Sequence, residues 1–364
     1  MSSIFEGFVK IPTLGRGVAG CPRRGGSGKC GERRCPLEGG HDRVHEPAVG
    51  ARGRPPPPNK RHFCPTICYL FGMHYTPYRD LLLKLFPNYL KVRKLPLNGS
   101  MSCPNLDGTK GFAGCSYCNN RSFSPVFDQA QVAIQEQLDK FVPKLREKYP
   151  NAGILAYLQP YTNTHAPLEK LQGIIDPIIK HKEIAGLAIG TRPDCLEDEK
   201  IAYLAELNRK KPIIVEIGLQ TANDLTLAAI NRRHTLAEWT DAVKRCQGAG
   251  LTVTTHVIVG LPGETLIDFK RTAEVIRDMK LAAVKIHPLH IVTGTVMAQD
   301  YIAGQFKLLE FEEYCYAVAE MIKIIGKDTA IERFSGESPS EMLIAPNWCG
   351  ERDRIIAEVE KLLD

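Results

Sequence analysis

Between residues 92 and 287 short apolar runs alternate with helical patterns, and this alternation leaves the chain few architectures to choose from. Six runs have strand length and composition: 92–97, 153–159, 186–190, 213–219, 251–259 and 283–287. Helical patterns separate them at 127–149, 168–181, 196–210, 235–247 and 265–279. In the first of these Ile134, Leu138, Phe141, Leu145 and Tyr149 recur on one face. The fourth opens on a capping box, Thr235 with Glu238, and stops at Gly248 and Gly250. A short helix from Tyr78, halted by Pro87, precedes the series. Strands joined by crossover helices must lie parallel, so the expected fold is α/β. Six strands favour an open, partial (β/α)6 barrel over a flat doubly wound sheet, although the pattern itself is compatible with both.

In parallel α/β folds ligands sit at the carboxyl ends of the strands. Polar residues collect there in this chain. They are Gln159, Tyr161, Asn163 and His165 after the second strand, and Thr191, Arg192 and Asp194 after the third. Glu216 with Gln220 and Thr221 follow at the fourth, His256 with Val259, Gly260, Gly263 and Glu264 at the fifth, and Lys285, His287 and His290 at the sixth. Taken singly, a residue such as His256 on an apolar strand reads as a hydrogen-bonded core histidine. Repetition at successive strand ends is what marks a site.

The first strand feeds a cysteine loop, Cys103-Pro-Asn-Leu-Asp-Gly-Thr-Lys-Gly-Phe-Ala-Gly-Cys115-Ser-Tyr-Cys118. Three thiolates leave a metal centre one ligand short. A structural zinc site is closed by four protein ligands, whereas an iron–sulfur cluster on three thiolates keeps one iron open to another molecule. The spacing alone leaves both readings standing.

The net charge of +6 is unevenly placed. Residues 1–72 hold 12 Lys and Arg against 5 Asp and Glu, and the remainder holds 35 against 36. A general basic surface for nucleic acid therefore does not follow from the total. Residues 1–62 are rich in Gly, Pro and Arg, and 1–72 is expected to be a disordered basic extension, with Met73 resembling an ordinary domain start. Cys21, Cys30 and Cys35 with His41 and His45 match no standard zinc spacing, and Cys64-x3-Cys68 lacks a second pair. There is neither a secretory h-region nor an apolar run of membrane length, so a cytoplasmic protein with reduced thiols and no membrane partner is expected. The core is expected over 73–295. A C-terminal extension, 296–364, with helices at 308–325 and 351–363 and an added strand at 329–334, is expected to cover the open side of the barrel. It would bring Arg333 to the substrate pocket, while Trp348 and Cys349 read as core packing.

These motifs, in this order, resemble the radical S-adenosylmethionine (SAM) enzymes, in the branch containing the catalytic subunit of elongator. The resemblance rests on Thr191-Arg-Pro-Asp194, Glu216-Ile-Gly-Leu-Gln-Thr221, Asn231-Arg-Arg-His-Thr235, His256 and Lys285-Ile-His-Pro288. Within that branch the chain is similar to the bacterial YtqA/YhcC-like family from about Met73 onward. Cys103-Pro-Asn-x-Asp-Gly-Thr, Gly114-Cys-x-x-Cys118-Asn, Gln159-x-Tyr-Thr-Asn-Thr, Gly260-Leu-Pro-Gly-Glu264, His287-Pro-Leu-His290 and Leu343-Ile-Ala-Pro-x-Trp348 carry the similarity. The superfamily's usual C-x3-C-x2-C spacing is widened here to C-x11-C-x2-C, and the elongator subunit's acetyltransferase domain has no counterpart.

The resemblance implies a [4Fe–4S] cluster on Cys103, Cys115 and Cys118 and S-adenosyl-L-methionine chelating the open iron. Reductive cleavage of the cofactor would then release a 5′-deoxyadenosyl radical that abstracts hydrogen from substrate. It further implies Arg192 for the methionine carboxylate, Gln159, Glu216 and Gln220 for the amino group and ribose, and Val259 and Gly260 beside adenine. Tyr161, Lys285, His287 and His290 are expected to meet the substrate. The implied reaction is remodelling of a carboxymethylaminomethyl group on transfer RNA wobble uridine, with flavodoxin or ferredoxin as electron donor. The same chemistry on a small metabolite or peptide fits the near-neutral core. A non-catalytic protein with zinc on the loop and RNA on the basic arm is the rival of another class.

Overall fold

A computed structural model describes residues 73–336 and 338–364. The expectations placed on residues 1–72, including Cys21, Cys30, Cys35, Cys64 and Cys68, lie outside the described residues.

The chain opens with β1 (Thr76–Pro77) and α1 (Tyr78–Leu85), then β2 (Val92–Leu97) and the cysteine loop. The βα series follows as α2 (Ile134–Lys148), β3 (Gly153–Leu158), α3 (Leu168–Lys180), β4 (Ile184–Thr191), α4 (Asp198–Asn208), β5 (Ile213–Gln220), α5 (Asp224–Ala229) and α6 (Leu236–Gly248). Next come β6 (Thr252–Val259), α7 (Leu266–Asp278) and β7 (Ala283–Pro288). The C-terminal part adds β8 (Ile291–Val292), α8 (Val296–Ile302), α9 (Phe311–Ile325), β9 (Ala330–Arg333), β10 (Leu343–Ala345) and α10 (Arg352–Leu363).

Among the described residues the main sheet has eight strands in the order β1-β9-β7-β6-β5-β4-β3-β2, every neighbouring pair parallel. The six expected strands are its centre. β9 falls inside the strand expected at 329–334, but it pairs with β7 and extends the sheet edge, while β1, two residues long, is too short to show a pattern. α1 touches both β9 and β2, which lie far apart in the strand order, so the sheet curls into a half-barrel with α1 bridging its gap. Tyr78, Leu82 and Phe86 of α1 pack on Val92, Leu155, Ile214, Ala283 and Ala330 near the strand starts, and these apolar side chains close the amino end. Alternate strand residues such as Leu95, Ile154, Leu187, Val215, Val253 and Val284 face outward onto the helices, where most of the core lies. α9 continues this outer layer by packing on α7 and α10.

Several boundaries differ from the pattern for local reasons. The helix expected at 127–149 is split, with a 3-10 turn at Phe127–Gln129 and α2 starting at Ile134, because Gln131 takes a left-handed φ of 78° between them. The helix expected at 196–210 is α4, which starts at Asp198 and ends at Asn208, and a separate 3-10 turn, Pro193–Cys195, precedes it. The capping box of α6 forms as expected, with Thr235 and Glu238 bonding reciprocally. α5 has only six residues and carries no periodic signal; Asn223 caps it by accepting from the amides of Leu225 and Thr226.

Candidate active site

The cysteine loop is stapled across the carboxyl end of the sheet by asparagines. Asn105 Nδ2 donates to the Asn231 carbonyl at 2.8 Å, Asn231 Nδ2 donates to the Gly114 carbonyl at 2.5 Å, and the Ser116 amide donates to the Ile230 carbonyl at 3.0 Å. The segment after α5 thus holds the loop from beneath. N–H groups face the sulfurs: Asn105 Nδ2 lies 3.5 Å and Arg232 Nη1 3.7 Å from Cys115 Sγ, and Asn120 Nδ2 lies 3.9 Å from Cys118 Sγ. Arg232 is buried, and its Nη2 donates to the Gly218 carbonyl at 3.0 Å. A Cβ at Gly218 would stand 2.6 Å from Gln220 Nε2 and 2.7 Å from Arg232 Nη2, so a larger residue there would displace the ends of both side chains.

The Cys118 thiol is pushed up to about 12 by burial, and then by the charge that Cys115 and Cys103 would carry. The three sulfurs therefore feel one another. As thiolates they need a cationic centre, and the chain supplies only partial compensation through Arg232 and Arg192. Among the described residues, buried polar atoms near this corner without a hydrogen-bond partner include Arg192 Nη1, a donor, and Gln159 Oε1, an acceptor, besides Asn105 Oδ1 and Ser116 Oγ of the cysteine loop itself. A thiolate-bound cluster carrying a ligand with both a carboxylate and an amino group fits this donor set. Among the described residues no three His, Cys, Asp or Glu side chains are spaced to hold a single metal ion, a requirement that a multi-iron cluster with spread ligands does not share.

The other expected site residues fall into two groups. Near the thiols lie Tyr161, Gln159 and Arg192. Tyr161 has a φ of 65°, outside the range a bulky side chain prefers; its amide donates to Asn120 Oδ1 at 2.8 Å, and its hydroxyl is raised by burial and then by Cys118 and Cys103. Gln159 Nε2 donates to the Phe123 carbonyl at 3.0 Å, which leaves Oε1 for another donor. The guanidinium fork of Arg192 is engaged by Asp194, with Nε and Nη2 at 2.9 and 3.0 Å, and Lys110 joins the same carboxylate at 2.6 Å. Arg192 therefore offers only its Nη1 amino group, and not the Nε/Nη2 fork, to any further anion. His165 joins Asp107 of the cysteine loop at 2.8 Å.

The second group lies on the inner face of the half-barrel, below the strand ends. Glu216 accepts from Lys94 Nζ at 2.7 Å through Oε1, and contacts Lys285 Nζ at 2.7 Å and His256 Nε2 at 2.9 Å through Oε2. Glu332 bonds Lys94 at 2.7 Å and lies 3.4 Å from Lys285. Lys285 also donates to the Tyr157 hydroxyl at 3.2 Å. Two lysines and two glutamates thus balance within one buried cluster. The lysines hold Glu216 well below the carboxylate range despite its burial, while burial lowers Lys285 to about 8. The His287 ring stands 5.7 Å from that of His256; burial, then Arg333, holds it well below the usual histidine range. His290 Nδ1 donates to the Pro288 carbonyl at 3.1 Å.

Gln220, with a φ of 79°, hangs over Gly218; Val259 is buried, and Gly260 turns at a φ of 95° against Leu309. The following Glu264 accepts from Thr221 at 2.5 Å and is raised to about 7 by burial. Trp348 packs at 5.1 Å from Tyr314 and 5.8 Å from Phe311, and Cys349 is fully buried, so both serve the core.

Sequence reasoning missed Asn105, Asn120, Lys94 and Glu332, and gave Arg232 no role of its own. Lys94 carried a signal, as a charge at an inward position of β2 beside Val92 and Pro96. The sulfur-facing asparagines carried none, because Asn is common in loops.

The model of the Radical SAM superfamily matches residues 111–276, and that of the Radical_SAM C-terminal domain matches 281–364. Protein YhcC of Escherichia coli is 37% identical over 279 residues, covering 75% of this chain and 88% of that protein. A tRNA uridine(34) acetyltransferase of Methanocaldococcus jannaschii is 28% identical over 180 residues, 49% of this chain and 32% of that protein. Among solved structures, Elp3 of Methanocaldococcus infernus superposes with a TM-score of 0.56 at 18% identity, covering 75% of this chain and 63% of that one.

Proposed function

The chain belongs to the radical SAM superfamily and is an enzyme, and from that premise we propose that it holds a [4Fe–4S] cluster on Cys103, Cys115 and Cys118 and acts on transfer RNA. The observation that carries the reading is the corner where three thiols meet N–H donors from Asn105, Asn120 and Arg232 beside buried Arg192 Nη1 and Gln159 Oε1, which have no partner among the described residues. Held by Cys103, Cys115 and Cys118, such a cluster would supply reductive cleavage of S-adenosyl-L-methionine and the hydrogen-abstracting chemistry that follows from it.

The chain's own residues bind and orient. The N–H groups on the sulfurs disperse thiolate charge and thereby raise the readiness of the site to accept an electron. Arg192 Nη1 donates to the methionine carboxylate, and Gln159 Oε1 accepts from its amino group. Gln220, Val259 and Gly260 line the ribose and adenine, while Glu216, with both oxygens engaged, supports the floor. Tyr161, Lys285, His287 and His290 bound the substrate space, and α1 with its apolar contacts seals the far end from water.

Relatives that modify tRNA support an RNA substrate, and the proposed reaction is hydrogen abstraction from a carboxymethylaminomethyl group on wobble uridine. A flavodoxin or ferredoxin as electron donor and a cytoplasmic setting belong to the same proposal; among the described residues no helix is long and apolar enough to cross a membrane.

The test is anaerobic reconstitution with iron and sulfide, followed by addition of S-adenosyl-L-methionine, dithionite and tRNA from a deletion strain. Formation of 5′-deoxyadenosine that disappears in Cys118→Ala, with a changed nucleoside profile, is expected. Cofactor cleavage with an unchanged profile would sink the tRNA substrate, and zinc-loaded protein that cleaves nothing would sink the enzyme reading.

A further inference from the structure

The ionic cluster beneath the mouth of the half-barrel fixes more than its own charges. Glu216 is an acceptor only, and its Oε2 lies 2.9 Å from His256 Nε2, so Nε2 carries the proton and Nδ1 carries a lone pair. Nδ1 has no partner among the described residues, although the ring is only partly covered, with a side-chain exposure of 25%. The register pairs His256 with Gly218 on β5 and Lys285 on β7, which puts it on the inner face with Glu216 and Lys285, toward the strand ends. Lys94 and Lys285, each 2.7 Å from Glu216, keep that carboxylate charged and in place, so the imidazole is held from behind by a group that is itself held.

We propose that His256 Nδ1 is a fixed hydrogen-bond acceptor for the substrate, positioned by Glu216, and that it takes a neutral N–H or O–H donor such as an imide, amide or hydroxyl. The preference for a neutral donor follows from the surroundings. Lys285 stands behind the ring, and Arg333 is close enough to lower His287 and His290 by its charge, so a cationic substrate group would meet repulsion. The neighbouring His287 is held neutral as well and widens the same surface. Burial, then the charge of Lys285, lowers His256 to about 4, so at physiological pH the lone pair stays available. A proton on Nδ1 would place a third cation beside Lys94 and Lys285 against Glu216 and Glu332. The same logic applies to a secondary amine on the substrate, which would be held in its neutral form.

The choice of tRNA as probe rests on the proposed function, but the tautomer does not. Nitrogen-15 spectra of histidine-labelled, full-length, cluster-loaded protein, with His256 assigned by its absence from His256→Asn, are expected to show Nε2–H and a bare Nδ1 that stays unprotonated down to about pH 5. A proton on Nδ1 at neutral pH would overturn the inference, whatever the substrate proves to be. In turnover with deletion-strain tRNA, His256→Leu is expected to lower modified nucleoside formed per 5′-deoxyadenosine by about tenfold, the worth of one acceptor. His256→Asn, whose side-chain oxygen reaches the position of Nδ1, should recover most of that ratio. Equal ratios in His256→Leu and the native enzyme would overturn the contact, and absence of any tRNA product from the native enzyme would instead remove the RNA reading and leave the tautomer to decide.

Discussion

The thiol corner and the ionic floor are both polar clusters in one half-barrel, yet they are unlike in what they require. The floor balances its own charge: Lys94, Lys285, Glu216 and Glu332 pair off with every separation at or below 3.4 Å, His256 and Tyr157 take part in the same network, and Glu332 Oε2 is the one carboxylate oxygen of the four residues without a hydrogen-bond partner among the described residues. The corner does not. Burial, then the charge that Cys115 and Cys103 would carry, raises the cost of ionising Cys118, and Arg192 Nη1 and Gln159 Oε1 are buried without partners among the described residues. A cluster whose charges are balanced by its own chain supports geometry, whereas one whose charge the chain only partly compensates is shaped for something the chain does not contain.

The widest separation between the two should come from removing one member of each. Cys118→Ala is expected to abolish cluster retention and 5′-deoxyadenosine formation, read by iron content and chromatography. In cluster-free protein the same change should leave the urea midpoint nearly unmoved. Glu216→Leu should do the reverse to stability, leaving two buried ammonium groups to share Glu332 alone and lowering it by about 3 kcal/mol in urea unfolding. Equal stability losses in the two variants would erase the contrast.

Glu264 sharpens the comparison because it is a buried carboxyl held by the Thr221 and Thr226 hydroxyls and not by a cation. Its pKa in the folded protein is about 7, above the ordinary value, so the folded state keeps a proton that the unfolded state has released. The stabilisation is full below pH 4.5 and is lost as pH rises toward 7. Glu264→Gln should remove on the order of 2 kcal/mol of that pH dependence, seen as a flatter plot of unfolding free energy between pH 4.5 and 7. Glu216, depressed by its lysines, should contribute no slope in that window. The smallest effect expected is that of Thr235→Ala in the α6 capping box, about 1 kcal/mol, with iron content and cofactor cleavage unaltered. It gives the scale of a local loss that belongs to neither region.

The parallel sheet was legible because strand and helix periods are local, and the capping box at Thr235 and Glu238 spans only three residues. The cysteine corner was legible for the same reason, its thiols lying within sixteen consecutive residues. Arg192 shows the limit of such reading. A guanidinium at a strand end suggested a free fork for a carboxylate, but Asp194, two residues on, occupies the Nε/Nη2 fork and leaves the Nη1 amino group.

What the amino-acid sequence determined by itself is therefore the order of strands and helices, the end of the sheet at which polar groups collect, and the spacing of the three thiols proposed to hold the cluster. Each depends on residues near one another along the chain, where side-chain period and spacing act directly. Tertiary structure alone decided the floor. Lys94 meets Glu332 across 238 residues and Glu216 across 122, a closure made when the sheet curls and α1 bridges its gap. No local period encodes that meeting, because the worth of each charge depends on partners that burial brings together only after the barrel has formed.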